Sequence, residues 1–309
     1  MFLRRNEKPL VYIILINWNG LEDTLECLES LRKIAYPNFR VIVVDNGSKE
    51  NQADIIKEKF PEVKLIRNNR NMGYVIANNQ GIRSALKRSA DYILLLNNDT
   101  VVERNFLDIL IKYAEQSKNV GILSPKIVYY DSNKIWSVGG KILPGGITIL
   151  TGKGKDHNCY TTEVIETDFV SGCAMLIKRS VIETIGFLDP IYFAYFEDAD
   201  FCLRAKNFGY KIVVIPKSVI YHKKSSSSGK RGSFRKLSPL QYYLLTRNQI
   251  LFIKKFSRWK IASVVVAIAF RLAYLTVYNK LDIESLKSLV RGAIDGITSK
   301  GAIFRNGTK

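Results

Sequence analysis

Residues 91–100 read DYILLLNNDT. Tyr92 to Leu96 are apolar without alternation, as in a strand buried on both faces, and such strands occupy the middle of parallel sheets. Asn97, Asn98 and Asp99 then follow without a break. Two readings fit this polar triplet. Ligands bind outside the carboxyl ends of parallel strands, which makes it a site. Asn and Asp side chains also hydrogen-bond nearby backbone, which makes it a turn.

Similar strands lie on either side. LVYIILI (10–16), FRVIVVD (39–45), VKLIR (63–67) and VGILS (120–124) alternate with helical patterns near 22–35, 51–60, 75–89 and 104–117. That alternation predicts an α/β domain: a Rossmann-like, mostly parallel central sheet with helices on both faces. From 125 to 180 the pattern turns hairpin-like, and the six glycines of 139–154 predict a ribbon. A helix over 197–208 and strands near 211–215 and 218–222 follow. Beyond KKSSSSGKRGS (223–233), a basic flexible loop by composition, helical patterns fill 238–256, 259–279 and 283–296. The expected division is a catalytic domain over 1–236, with a nucleotide-binding half to about 125 and an acceptor half after it. A helical C-terminal extension covers 237–309.

A chain of 309 residues, 47% hydrophobic, can bury one large core with an appendage. Cys27, Cys159, Cys173 and Cys202 form no CxxC pair and no metal spacing, so reduced thiols are expected. The N-terminal basic residues and short apolar run lack a small-residue cleavage site and lead into a helix start, so residues 10–16 read as the first strand. The net charge of +19 is unevenly placed: Phe201 to Leu281 holds 17 Lys or Arg and no acid, against 30 basic and 28 acidic residues elsewhere.

The sheet suggests a nucleotide. Strand 1 runs into NWNGLED rather than GxGxxG, and no GxxxxGK[ST] occurs. Strand 2 ends in Asp45, which suits either a base or ribose contact or the cap of the DNGS turn. YFEDADFCLRA (195–205) carries Glu197, Asp198 and Asp200 at a helix start, where the dipole stabilises each acid by ~0.3–1 kcal/mol. Asp200 and Arg204, four apart, read as a surface pair. The aromatic run Ile191–Phe196 before the acids predicts partial desolvation, which raises a carboxylate's pKa and suits a general base. His222 ends its strand, as a structural residue or as a partner of Asp99 in a mixed O/N site for Mn²⁺ or Mg²⁺. His157, in a polar loop, receives no role.

Seven stretches, in order, resemble family 2 glycosyltransferases of the GT-A fold, in the branch that includes bacterial and archaeal rhamnosyltransferases. They are VYIILINWNGLEDTLECLESL, VIVVDNGS, NRNMGYVIANNQGI, YILLLNNDTVV, FVSGCAMLIKRSVIETIGFLD, YFEDADFCLRAKNFGYKIVVIP and VIYH, spanning residues 11–222. The resemblance implies that Asp99 binds the metal bridging the donor's diphosphate, with Asn98 beside the ribose and His222 as a late metal ligand. It implies nucleotide contacts for Asn17, Asp45, Asn71, Gly73 and Asn79. Asp198 becomes the catalytic base, and Glu197 holds the acceptor. Two departures stand out: Asn-Asn-Asp replaces Asp-x-Asp, and Val75 and Ile76 stand where small residues are usual. The implied chemistry is a single displacement with inversion, from a nucleotide-sugar donor to a lipid-linked or other saccharide acceptor. Lys or Arg from 223–236 is expected to assist the leaving group.

IASVVVAIAFRLAYLTVY (261–278) is at the edge of the length that spans a bilayer. Arg271 at its middle costs ~2.5–3.5 kcal/mol on insertion scales, so no span is expected. The expectation is a helix packed on the protein or lying shallowly in an anionic membrane surface, with the enzyme cytoplasmic and peripheral on the inner face of the cell membrane. Two other classes compete. A sugar-1-phosphate nucleotidyltransferase needs a Gly-rich basic loop after strand 1, which NWNGLED is not. A nonenzymatic basic protein on lipid or nucleic acid leaves Asp99, Asp198 and His222 without roles, and no nucleic-acid motif appears, so no nucleic-acid partner is expected.

Overall fold

The computed structural model describes residues 8–223 and 236–299. The first half runs β1 (Val11–Asn17), α1 (Leu21–Arg32), β2 (Phe39–Asp45), α2 (Gln52–Lys59), β3 (Lys64–Arg67), α3 (Tyr74–Leu86), β4 (Tyr92–Asn97), β5 (Thr100–Val102) and α4 (Phe106–Gln116). The second runs β6 (Val120–Tyr129), β7 (Ile135–Ser137), β8 (Gly140–Leu143), β9 (Ile147–Leu150), β10 (Ile165–Glu166), β11 (Ala174–Lys178), α5 (Arg179–Ile185), α6 (Glu197–Asn207) and β12 (Lys211–His222). Three helices close the described chain: α7 (Pro239–Phe256), α8 (Lys260–Asn279) and α9 (Ile283–Thr298).

The main sheet is ordered β10-β12-β6-β11-β4-β1-β2-β3. Its β3-β2-β1-β4 part is parallel, β12 is parallel to β6, and antiparallel β11 joins the two parts. Side chains alternate along a strand. Val11, Ile13 and Leu15 therefore pack with α1, α2 and α4, while Tyr12 and Ile14 pack on the other face with α3 and α6. From β1 the chain builds outward through β2 and β3 on one side, then α3 carries it back across to β4 on the other side of β1. That reversal opens a crevice at the carboxyl ends of β1 and β4, where the polar triplet begins.

The α/β expectation holds, and the Gly-rich stretch forms the β8–β9 ribbon. Two strand boundaries differ. β6 continues past Pro125 to Tyr129, and residues 211–222 form one strand instead of two. Its register shifts between Ile215 and Val219, a bulge that accommodates Pro216, which has no N–H to give the ladder.

The boundary expected at 236–237 does not detach α7. Its Leu251 and Phe252 belong to the sheet's own core cluster. α9 packs closely on α7: a Cβ on Gly292 would lie 2.5 Å from the Tyr243 carbonyl oxygen. α8 is long and apolar enough to cross a membrane by length and composition, yet one stripe of it faces the protein. On that stripe Arg271 donates to Gln249 (3.0 Å), and Gln249 donates to the Gly145 carbonyl (2.8 Å). Ile261, Val265, Phe270 and Val277 are exposed, and Val266, also partly exposed, lies against Gly145.

Candidate active site

β1 and β2 end in register, with Asn17 opposite Asp45. Asn17 donates to Asp45 Oδ2 (2.8 Å), and its own Oδ1 accepts from Thr24 (2.9 Å). Asn98 in turn donates to Thr24 Oγ1 (2.8 Å) and more weakly to the Gly20 carbonyl. One hydrogen-bonded chain thus ties the ends of β1, β2 and β4 to the first turn of α1. Asp45 also accepts from the Ser48 N–H (3.1 Å). An ionised carboxylate has about four acceptor sites, and these bonds occupy two. Asp45 therefore keeps acceptor capacity for a base N–H or a ribose hydroxyl. The Asn98 amide N–H₂ is committed to α1.

Asn71 accepts from the Gly73 N–H and from Asn46, both at 2.9 Å. Asn46 also accepts from Asn68 and the Met72 N–H, making it the hub of this loop. No role was expected for Asn46; its signal in the sequence was adjacency to Asp45. Gly73 has φ 86°, and a Cβ there would lie 2.5 Å from the Phe193 ring. The glycine lets the 191–196 loop close over the start of α3, where the Val75 N–H reaches the Phe193 carbonyl. Asn79 sits differently from its expected place in the nucleotide pocket. Its amide exchanges two hydrogen bonds with the Leu188 backbone, at 2.8 and 3.2 Å, and ties α3 to the loop after α5.

Asp99 and His222 come together from β4 and β12. Asp99 Oδ1 lies 3.2 Å from His222 Nε2, both side chains almost wholly buried. The Trp136 ring meets the imidazole edge-on, and His222 Nδ1 is buried with no hydrogen-bond partner among the described residues. Two atoms bound side by side to one small divalent ion at about 2.1 Å lie roughly 3 Å apart. The observed separation fits that donor pair. Among the described residues no third His, Cys, Asp or Glu completes a metal cluster. Lys223, expected near the leaving group, instead pairs with Asp23 (3.0 Å) and with Glu26 on α1. The rest of the expected basic loop, 224–235, lies outside the described residues.

The acids of α6 emerge from backbone strain. Tyr195 and Phe196 both have φ 73°, left-handed backbone that bulky residues rarely adopt. Such residues cost of order 1–3 kcal/mol each and persist only where their surroundings hold them. Here Asn248 of α7 donates to the Ala194 and Tyr195 carbonyls. Asp198 is half-buried, its oxygens accepting from the Ala199 N–H (2.8 Å) and the Gly172 N–H (3.2 Å). Glu197 is buried, and its Oε2 has no hydrogen-bond partner among the described residues. Burial pushes the Glu197 carboxyl well above the usual carboxylate range, and the Asp198 charge pushes the same way. Burial raises Asp198 as well, but the N–H groups of Gly172 and Ala199 oppose it. The local N–H donors therefore favour ionisation of Asp198 over Glu197, the acid that burial holds further toward its protonated form.

Asp200 and Arg204 are not a surface pair. Asp200 is fully buried and accepts from Arg204 (2.7 Å) and from Lys255 of α7 (2.6 Å). The helical spacing was right. What it could not report is that this face of α6 is roofed by α7.

The Ser171–Cys173 turn joins the two halves of the site. Its Gly172 N–H holds Asp198, and the Gly172 carbonyl accepts from Tyr74 (2.8 Å). The Cys173 carbonyl accepts from the Asn97 N–H (2.9 Å). All four cysteines are free thiols, as expected.

A mixed sheet of this order, with polar strand ends facing an acid pair across a shared turn, is the GT-A fold of nucleotide-sugar transferases. Solved structures agree. GalNAc-T7 with UDP, GalNAc and Mn²⁺ superposes with a TM-score of 0.67 at 16% identity, over 94% of this chain and 55% of that one. The mannosyltransferase PcManGT of Pyrobaculum calidifontis, with GDP-Man and Mn²⁺, gives 0.57 at 15% identity, covering 96% and 89%. The chain belongs to glycosyl transferase family 2, whose sequence pattern matches residues 12–186. It is 25% identical over 300 residues to the dTDP-rhamnosyl transferase RfbF of Shigella flexneri, covering 93% of this chain and 95% of that protein. It is 26% identical over 213 residues to the N-acetylglucosaminyl-diphospho-decaprenol L-rhamnosyltransferase of Mycobacterium tuberculosis, covering 62% and 68%. The rhamnosyltransferase-like branch read from the motifs agrees with these relatives. Family membership selects glycosyl transfer over the nucleotidyltransferase and nonenzymatic readings.

Proposed function

We propose that the protein is an inverting glycosyltransferase that moves a sugar from a nucleotide-sugar donor to a hydroxyl of a lipid-linked saccharide. The carrying observation is the Ser171–Cys173 turn, whose Gly172 N–H bonds Asp198 and whose Cys173 carbonyl takes the N–H of Asn97, two residues before Asp99. An acceptor hydroxyl at Asp198 and a diphosphate at Asp99 would then be neighbours. Asp45 with Asn17 binds the nucleoside, and the Asn46–Asn71–Gly73 loop shapes that side of the cleft.

Asp198 accepts the hydroxyl proton as the hydroxyl oxygen attacks the anomeric carbon. The bond from that carbon to the diphosphate breaks, and the nucleoside diphosphate departs with the electron pair. Asp99 and His222 are the residues that would hold Mn²⁺ or Mg²⁺ together with donor oxygens, and such an ion neutralises charge on the leaving diphosphate. Glu197, protonated, is an acceptor-side hydrogen-bond donor rather than a nucleophile. With one ionised carboxylate and no second one at the reacting carbon, a single displacement inverts configuration. The names of the Shigella and mycobacterial relatives make dTDP-rhamnose the first donor to test and a polyprenyl-diphosphate-linked sugar the first acceptor.

The exposed apolar face of α8 and the basic residues of 201–281 support a peripheral site of action on the anionic inner face of the cell membrane. Thermal shift against a nucleotide-sugar panel, with and without Mn²⁺, should select the donor. Asp198→Asn should keep that donor's binding and lose roughly 10²–10⁴ in transfer rate. Near wild-type turnover would reduce Asp198 to a helix-start acid.

A further inference from the structure

We infer that Asn248, in α7 and beyond the stretch matched by the family pattern, is a positioning residue that sets the catalytic turn before Glu197 and Asp198. The inference rests on the reading of Asp198 as base. Asn248 is fully buried. Its amide nitrogen donates to the Ala194 carbonyl at 2.8 Å and the Tyr195 carbonyl at 2.9 Å. An amide has two N–H groups, and both are used. Its oxygen accepts from Arg247 (2.9 Å), whose same nitrogen donates to the Ile191 carbonyl (3.1 Å). Arg247 thereby fixes which end of the Asn248 amide faces the turn.

Two successive carbonyls converge on one nitrogen because Tyr195 and Phe196 reverse the chain in left-handed backbone. Without a donor between them these carbonyls repel, and the strained turn keeps only lighter contacts, such as the Phe196 ring on Phe252. Phe196 caps α6, and its carbonyl receives the Asp200 N–H (2.9 Å). Relaxing the turn therefore rotates the first turn of α6, which carries both acids. Gln241 adds a lighter contact from α7, donating to the Tyr195 hydroxyl (3.1 Å).

Asn248→Asp preserves shape but turns a carboxylate toward both carbonyls, and Asn248→Ala removes the donor. With the donor selected by thermal shift, each should lower kcat about 10-fold or more while donor KM stays within about twofold, because misplacing the reacting groups costs rate more than binding. Tyr195→Gly removes the left-handed penalty at one of the two strained positions. In that background Asn248→Ala should cost less than about threefold, a coupling that loss of packing would not produce. Hydrogen exchange on the full chain supplies a readout free of substrate. Peptides covering 192–203 should exchange faster in both Asn248 variants, with α9 peptides unchanged. Unchanged exchange over 192–203, kcat within twofold of wild type, or equal losses in both Tyr195 backgrounds would overturn the inference. If Asp198→Asn retains activity, the assignment of the base fails instead, and the exchange result still decides whether the clamp exists.

Discussion

Replacing Lys255 by Met tests whether α7 is integral to the catalytic domain. The Lys255 ammonium lies 2.6 Å from Asp200 and 2.9 Å from Asp189, and its side chain is 7% exposed. At an effective dielectric near 20, a unit-charge pair at that shorter distance is worth about 6 kcal/mol before desolvation. Burying the ammonium cancels much of this, and breaking one side of a buried pair typically costs about 3–5 kcal/mol. Arg204 still compensates Asp200 at 2.7 Å, so the lower end, roughly 3 kcal/mol, is expected. For a chain of this size that corresponds to a fall in Tm of about 5 °C, measured by calorimetry or dye-monitored melting. Adding Asp189→Asn to the Met variant removes the acid left without its cation and should restore part of the loss. A Tm change under about 2 °C, or strictly additive effects of the two substitutions, would refute the coupled cluster.

Three further outcomes are expected. Glu197→Gln should raise Tm over wild type by an amount that grows from pH 5 to pH 8, because a carboxyl whose pKa is raised by burial adds stability below its unfolded pKa and loses it as pH rises through the folded one; a pH-independent difference argues against burial of the charge. Asp99→Ala should weaken Mn²⁺-dependent nucleotide binding, by calorimetric titration, about tenfold or more, and His222→Ala somewhat less; full activity in EDTA would sink the metal assignment. The protein should sediment with anionic vesicles at low salt and retain partial binding at high salt, while Val265→Glu with Phe270→Glu should abolish the salt-resistant part. Protein left in the supernatant with both anionic and neutral vesicles at low salt would refute membrane docking.

Much of this site was legible because parallel strands concentrate function at their carboxyl ends. A run such as YILLL followed by NND reads as buried strand and then exit, and Asp45 read as a strand end in the same way, whereas Asn17 was expected only from the family resemblance. His222 was found the same way on β12. The contacts made by α7 were invisible for the opposite reason. Asn248 and Lys255 sit in a helix whose sequence looks amphipathic and basic, and nothing in its periodicity says that buried acids and strained carbonyls lie opposite. Asn79 shows the limit of motif transfer: its place along the chain matches, but both ends of its amide are engaged by Leu188.

Arg271 carries the same point into α8. Read along the chain, one arginine amid apolar residues looks like an interruption that weakens a membrane helix. In the fold, Ser263, Ala267, Arg271, Leu275 and Asn279 recur every fourth residue and form the stripe turned toward the protein. Ser263 meets Ser257 at 2.9 Å, Arg271 meets Gln249, and Asn279 bonds Leu237, Tyr242 and Ser285. Ser263, Arg271 and Asn279 are thus turned toward the protein, and residues 261–277 turn no charge outward. This is the reverse of a helix built to face water, where the apolar stripe lies against the core. The insertion cost assigned to Arg271 does not apply while Gln249 and its neighbours hold the guanidinium on the protein side. An outward face of Ile261, Val265, Phe270 and Val277 instead favours an apolar surrounding, and the basic flanks at Arg258, Lys260 and Lys280 favour one edged with anions. Gln249 adjoins Asn248 in α7. The helix proposed to rest on the membrane is therefore anchored one residue from the side chain that holds the catalytic turn.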